Sequence, residues 1–280
     1  MFEVTPVPEG LERVRFIASD MDGSLLTNAS VLPEGFEERV DALASVGTLF
    51  SAASGRPLYT LEDNLGHLGH LGHKIMLIGD NGGVISRNGK VIYQADLAVE
   101  KYRRMVRVTH EKGDVGLICG VDACYVEPNA KPYEDYFRTF YTRVVYVDDL
   151  TQVDVPADKY TVYFPNNDAT EHQAEYAVAI GGDCTFACGG IMWLDIMPAG
   201  VSKGNAMRRI SELCGIGLDE MLAFGDAPND ADMLETVGFG YMMANAQPCM
   251  ANHASLVAPS NEDRGVLQVI DQVVAARRAI

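Results

Sequence analysis

A strand buried on both faces of a sheet has no room for a carboxylate. The run from Val14 to Ser19 reads as such a strand until Asp20-Met21-Asp22-Gly23 stops it. Two acids one residue apart therefore sit at the C-terminal end of a predicted central parallel strand, which is where open α/β sheets bind ligands. Gly23 lets the chain turn tightly and leaves the main-chain amides from Met21 onward facing an anion. Asp-x-Asp-Gly also describes an ordinary surface turn, so its meaning depends on what the rest of the chain brings to it.

Roughly two hundred residues later the pattern recurs. Met221-Leu222-Ala223-Phe224-Gly225 is a second short apolar strand, followed by Asp226-Ala227-Pro228-Asn229-Asp230. Asn229 and Asp230 open a helical stretch through Met233, Leu234 and Val237, which puts their polar groups at a helix N-terminus beside the strand end. Acids gathered from distant strand ends suit a hard cation such as Mg²⁺, which takes carboxylates, a carbonyl, waters and phosphate oxygens.

Two further polar signals fall at element junctions. Thr48 to Ala53 reads as a buried strand ending at Ser54-Gly55-Arg56-Pro57, with Pro57 suited to the first turn of the next helix. Ser54 fits either a phosphate ligand or a plain helix N-cap. Val201-Ser202-Lys203-Gly204 opens an amphipathic helix through Ile210 and Leu213. A lysine in a first helical turn opposes the macrodipole, so Lys203 is either a solvated surface cation or a group placed there to meet an anion.

Together the four blocks resemble the haloacid dehalogenase-like phosphohydrolases, specifically the Cof-type subfamily with an inserted cap, from Val14 to about Asp230. The resemblance implies that Asp20 is the nucleophile, Asp22 the general acid and base, and Ser54 and Lys203 phosphate ligands, with Gly55, Arg56 and the Met21 amide beside them. It implies Mg²⁺ held by Asp20, the main-chain carbonyl of Asp22 and Asp226. Asn229 and Asp230 would bind phosphate or anchor the metal's waters and the lysine. Ser24 and Ser54 stand where the family more often has threonine, and each keeps the hydroxyl. Such a set answers a physical problem, because a carboxylate nucleophile must approach a phosphate dianion. At about 4 Å and an effective dielectric near 20, each like-charge pair repels by roughly 4 kcal/mol. A cation and Lys203 offset that repulsion, while Asp22 protonates the leaving alkoxide and later deprotonates water.

From Val14 to Val84 strand and helix alternate, with helices at 33–46 and 57–68 and strands at 48–53 and 75–78. Asn81-Gly82-Gly83 breaks this pattern, and Asn88-Gly89 reads as a hairpin turn. Helices at 98–111, 133–141 and 169–180, with strands near Gly116, Tyr125, Tyr160, Thr185 and Met192, make an insertion of mixed type. The expected fold is α/β, a Rossmann-like parallel sheet core (1–84 and 191–280) with an inserted α+β cap (85–190). Tyr125, Tyr133, Phe137 and Trp193, in or near the cap, are expected as core aromatics or substrate contacts.

A formal net charge of −17 and a pI near 4.6 argue against nucleic acid or an anionic membrane as partner. Attraction for a small phosphorylated substrate must then come from the local site. The first residues lack a basic start and an apolar run, and no stretch reaches membrane-spanning length, so the expected location is the cytoplasm. Six cysteines without a Cys-x-x-Cys pair are read as reduced and mostly buried. His67, His70 and His73 recur every three residues with glycines between them, and are read as a loop and not a metal site.

The functional reading is a Mg²⁺-dependent phosphatase of small phosphorylated metabolites such as sugar phosphates. A phosphomutase or a dedicated sugar-phosphate phosphatase of the same group is the alternative. A non-catalytic phosphate-binding protein has no need for a nucleophile paired with an acid. Substrate identity and oligomeric state are not written in these motifs.

Overall fold

The computed structural model describes residues 1–65, 74–189 and 191–280, and the histidine repeat at 67, 70 and 73 lies outside the described residues. In chain order the elements begin β1 (Phe16–Asp20), α1 (Phe36–Ser45), β2 (Leu49–Ala53), α2 (Leu58–Leu65), β3 (Ile75–Gly79), β4 (Val84–Arg87) and β5 (Lys90–Gln94). Next come α3 (Val99–Lys112), β6 (Val115–Gly120), β7 (Cys124–Val126), α4 (Glu134–Phe137), β8 (Val144–Tyr146), β9 (Ala157–Tyr163), α5 (Ala169–Ile180), β10 (Cys184–Gly189) and β11 (Trp193–Pro198). The last are α6 (Lys203–Cys214), β12 (Met221–Gly225), α7 (Ala231–Thr236), β13 (Phe239–Met243), β14 (Leu256–Ala258) and α8 (Gly265–Arg278).

The chain divides into two units, the first holding Met1–Ser54, His67–Ile92 and Ser202–Ile280. Among the described residues its sheet has eight strands in the order β14-β13-β12-β1-β2-β3-β4-β5. Every residue of β1 and β12 is buried, as continuous apolar runs require when helices cover both faces. Helix α1 turns Phe36, Val40 and Leu43 inward and α8 turns Val266, Ile270 and Val273 inward, the three-to-four spacing of an amphipathic helix. β1 runs parallel to β2 on one side and β12 on the other, with Asp20 beside Ala53 and Ser19 beside Phe224. The chain thus leaves β1 in one direction and returns on the opposite flank, which makes the carboxyl end of β1 a switch point.

The second unit, Gly55–Gly66 and Tyr93–Val201, carries a sheet ordered β10-β11-β9-β6-β7-β8 among the described residues. Alternation along β9 sends Tyr160 and Val162 to the face packed by Tyr102, Met105, Val106 and Tyr176 of α3 and α5. Tyr163 goes to the other face, with Leu117, Cys119, Phe137, Tyr141 and Trp193. Core packing is therefore the role the structure shows for Phe137 and Trp193, with Tyr133 and Tyr125 half-buried against the two clusters.

The division between units departs from the expected boundaries at 84/85 and 190/191. β4 pairs antiparallel with β3, so the Asn88-Gly89 hairpin extends the first sheet and the first unit continues to Ile92. β11 pairs with β9 and β10, which keeps 193–198 in the second unit and delays the return to Ser202. A hairpin signal marks a turn without saying which sheet edge receives it. Segment 55–66, expected in the core, belongs to the second unit. Asp63 there takes hydrogen bonds from Arg143 at 2.8 Å and the Thr142 hydroxyl at 2.5 Å, partners nearly eighty residues away. Of the cysteines, Cys119 and Cys124 are buried and Cys249 is exposed, fewer buried than expected, and all are free thiols. No helix among the described residues is long and apolar enough to cross a membrane.

Candidate active site

The strand register brings the predicted residues to one edge of the first unit. Asp20 ends β1, Ser54 follows Ala53 of β2, and Asp226 follows Gly225 of β12, so all three leave the carboxyl ends of adjacent parallel strands. After Asp20 the chain makes one wide turn over Met21–Leu25, closed by the Leu26 N–H on the Met21 carbonyl at 2.8 Å. Gly23 lies in this turn at φ +87°, where a Cβ would stand 2.5 Å from Asp226 Oδ2. Both backbone and space therefore demand glycine, and its absence of a side chain admits the Asp226 carboxylate. The Ser24 hydroxyl donates to Asp226 Oδ1 at 3.1 Å.

Lys203 begins α6, behind an N-cap in which the Ser202 hydroxyl accepts from the Asn205 N–H at 3.1 Å. It is not a surface cation, since its side chain is wholly buried. Nζ donates to Asp20 Oδ1 at 2.5 Å and to Asp230 Oδ1 at 2.6 Å. The start of α6 can approach because Gly82, at φ +98°, has no Cβ; one would fall 2.3 Å from the Ser202 carbonyl oxygen. The other oxygen of Asp230 accepts from the N–H groups of Asp226 and Ala227 at 3.0 and 3.1 Å. Asp230 thus serves Lys203 and the strand-end loop with both oxygens. Among the described residues, Asp20 and Asp226 each keep one oxygen outside any protein hydrogen bond.

Three buttresses escaped the sequence reading. Asn81, in the left-handed region at φ +55°, donates its N–H to the Ser54 carbonyl and accepts from Asn229 Nδ2 at 3.0 Å. Its only sequence signal was the Asn-Gly-Gly run, read as a break in the strand and helix alternation. Asn245 donates to the Gly23 carbonyl at 2.8 Å, and Asn261 donates to the Leu26 carbonyl at 2.9 Å. An asparagine in a loop has no periodicity to betray it, so no local signal could have found these two.

The charges do not balance. Asp20, Asp226 and Asp230 place carboxylate oxygens within 4.8 Å of one another around a single ammonium. Burial pushes Asp20 well above the usual carboxylate range; Lys203 opposes this, while Asp230 and Asp226 add to it. Burial and then the Asp230 charge push Asp226 up to about 6. Burial works against the Lys203 cation, but Asp20 and Asp230 outweigh it and hold its pKa above the ordinary lysine value. An all-oxygen donor set with surplus negative charge fits a hard divalent cation, which relieves the repulsion that raises the two acids.

Asp22 lies exposed on the turn beyond Met21. Gly55 and Arg56 belong to the second unit, where the Gly55 carbonyl accepts from Lys159 and Arg56 donates to the Thr139 carbonyl at 3.3 Å, its guanidinium 5.5 Å from the Phe140 ring centre. Hydrogen bonds run from Lys203 to Asp20 and Asp230, from the Asp226 amide to Asp230 and from Ser24 to Asp226, and a second chain links Asn229, Asn81 and Ser54.

A family model for haloacid dehalogenase-like hydrolases matches residues 17–270. Among curated proteins, the Escherichia coli (strain K12) 5-amino-6-(5-phospho-D-ribitylamino)uracil phosphatase YbjI is 29% identical over 93% of this chain and 96% of its own. The HMP-PP phosphatase of Yersinia pestis (strain Pestoides F) is 26% identical over 84% of this chain and 85% of its own. Among solved structures, SMU.1108c of Streptococcus mutans UA159 superposes with a TM-score of 0.84 at 23% identity, covering 94% of this chain and 99% of the other, which shows a shared fold.

Proposed function

Because the chain belongs to the haloacid dehalogenase-like hydrolases and is a phosphoric monoester hydrolase, we propose that it is a Mg²⁺-dependent phosphatase of small phosphorylated metabolites, acting through a phosphoryl group carried on Asp20. The observation that carries this reading is the buried Lys203 bonded to Asp20 within a surplus of carboxylates at the carboxyl end of the central strand. Lys203 engages Oδ1 of Asp20, which leaves Oδ2 to attack phosphorus. Mg²⁺ held by the Asp20 and Asp226 carboxylates and the Asp22 carbonyl would supply the positive charge that lets a phosphate dianion come up to a carboxylate.

The remaining work falls to the chain's own groups. Lys203 and the Ser54 hydroxyl hold the equatorial oxygens of the phosphoryl group, with the amides after Asp20 as further donors. Asp22, exposed and hence able to meet the leaving group, gives its proton to the ester oxygen as the P–O bond breaks. A water then attacks the phosphorylated Asp20, Asp22 takes its proton, and inorganic phosphate departs with the carboxylate restored. Asp230 keeps Lys203 charged and aimed, and Ser24 fixes Asp226.

Similarity to a phosphatase named for a phosphoribitylamino compound supports a metabolite with an alkyl leaving group, of the sugar-phosphate kind. The second unit would select among such leaving groups. A panel of phosphorylated metabolites assayed with Mg²⁺, beside Asp20→Asn, tests the proposal. Release of inorganic phosphate that Asp20→Asn abolishes is expected; isomerisation without release would make the chain a mutase, and full activity in Asp20→Asn would remove the nucleophile assignment.

A further inference from the structure

The turn that carries Asp22 and the loop that carries Asp226 are both held from a third segment, the loop that follows β13, and all three lie in the first unit. Asn245 in this loop is exposed, yet both ends of its side-chain amide are engaged. Its Oδ1 accepts from the Asn261 N–H at 3.0 Å. A main-chain N–H can only donate, so this bond fixes the oxygen end and turns Nδ2 toward the Gly23 carbonyl, to which it donates at 2.8 Å. Two residues on, the Gln247 N–H donates to the Asp226 main-chain carbonyl at 2.9 Å. One short segment therefore grips both loops. Asn261, buried just beyond β14, holds the far end of the turn, donating from Nδ2 to the Leu26 carbonyl at 2.9 Å and to Asn28 Oδ1 at 3.1 Å.

Water can satisfy a half-buried carbonyl such as that of Gly23 at little cost, so folding does not need a side-chain donor there. What the bond changes is position. Gly23 stands against the Asp226 carboxylate, where a Cβ would lie 2.5 Å from Oδ2, and its peptide neighbour Asp22 carries the carbonyl assigned to Mg²⁺. We propose that Asn245 is a positioning residue for the metal site: held by the Asn261 N–H, it fixes the Gly23 carbonyl while Gln247 fixes Asp226, and so sets the gap between the Asp22 carbonyl and the Asp226 carboxylate to suit a small octahedral cation. This rests on the proposed phosphatase reading, in which those two groups take Mg²⁺. Mg²⁺ demands a nearly regular octahedron, whereas Ca²⁺ accepts longer bonds and irregular ligand sets, so loosening the gap costs Mg²⁺ more.

N245A removes both side-chain bonds and leaves the Gln247 N–H in place. Calorimetry on the full chain is expected to show Mg²⁺ bound about tenfold more weakly and Ca²⁺ changed by less than about threefold, with kcat at saturating Mg²⁺ changed by less than about threefold. A folded N245A with wild-type Mg²⁺ affinity would overturn the inference. Equal losses for the two ions would overturn it too, since they would mark a general loosening of the turn. Where Ca²⁺ binds the wild type too weakly to measure, the Mg²⁺ loss at near-constant kcat is the reading, and its absence overturns the inference. If N245A does not fold, N245S, which keeps a polar group too short to span from Asn261 to Gly23, is measured with the same outcomes expected. A wild-type protein that binds no Mg²⁺ overturns the proposed function and this inference with it. A wild type that binds Mg²⁺, beside a variant that keeps the same affinity and ion preference, overturns the inference alone.

Discussion

Lys203 and Lys159 are both buried, one in each unit, and the groups around them differ. Lys203 stands among three carboxylates, so its cluster is left with excess negative charge. Lys159 has the Gly55 main-chain carbonyl at 3.0 Å and the Asp195 carboxylate at 3.4 Å among its partners. Taking charges out of water is costly, so a buried ammonium is held by hydrogen-bonded partners of opposite charge. A cluster that stays unbalanced, with two acids pushed toward protonation, is the kind that a cation and a phosphate are needed to complete.

The contrast breaks first on the nucleophile. Asp20→Asn should lower turnover by at least about 10⁴-fold, while Asp195→Asn, the matching change beside Lys159, should lower kcat by less than about tenfold; steady-state phosphate release on both variants decides it, and comparable losses would erase the distinction. Asp22→Asn should slow alkyl phosphates by about 10²- to 10⁴-fold and an activated aryl phosphate far less. Equal slowing of both substrates would take the proton-transfer role away from Asp22.

Stability in chelator should move in opposite directions. Asp226→Asn removes a carboxylate that the folded, metal-free protein charges reluctantly, and should stabilise it by about 1–3 kcal/mol near neutral pH. The sign follows from a folded pKa of about 6 against an ordinary 3.8: the penalty is present above about 6 and disappears as pH falls through the window down to 3.8, so the gain should vanish in mild acid. Asp195→Asn should instead destabilise by about 3 kcal/mol, because it removes a charged partner of a buried ammonium. Urea unfolding of the two variants across that pH range measures both signs. The smallest expected effect is that of Ser24→Ala, which frees the Asp226 carboxylate and should weaken Mg²⁺ about tenfold without altering the fold. Calorimetric titration checks it, and unchanged affinity would show that Ser24 holds nothing the metal needs.

How far the sequence could be read depended on the range of the interaction. Asp20 and Asp226 were legible because a carboxylate closing an apolar run is costly to bury without partners, and Gly23 because a tight turn must follow. Lys203 showed itself only as a lysine at the wrong end of a helix dipole; its burial depends on Asp20, 183 residues away, and on Asp230. Asn245 and Asn261 were invisible and Asn81 showed only as a break in the pattern, since each acts on a main-chain group or side chain distant in sequence. The hairpin at Asn88-Gly89 was legible as a turn, but its membership of the first sheet was decided by pairing with β3.

The local pattern of apolar runs, acids and glycines by itself determined most of the elements and their parallel core, because steric limits and desolvation act within a few residues; the helix expected at 133–141 is only Glu134–Phe137, and β8 had no signal. Only the tertiary structure decided which unit owns helix α2, which oxygens of the three acids are engaged, and that Lys159 reaches Gly55. Those outcomes depend on distances of a few ångströms between segments far apart in the chain, and hydrogen bonds and charges that sensitive to separation exist only once the sheets have brought the segments together.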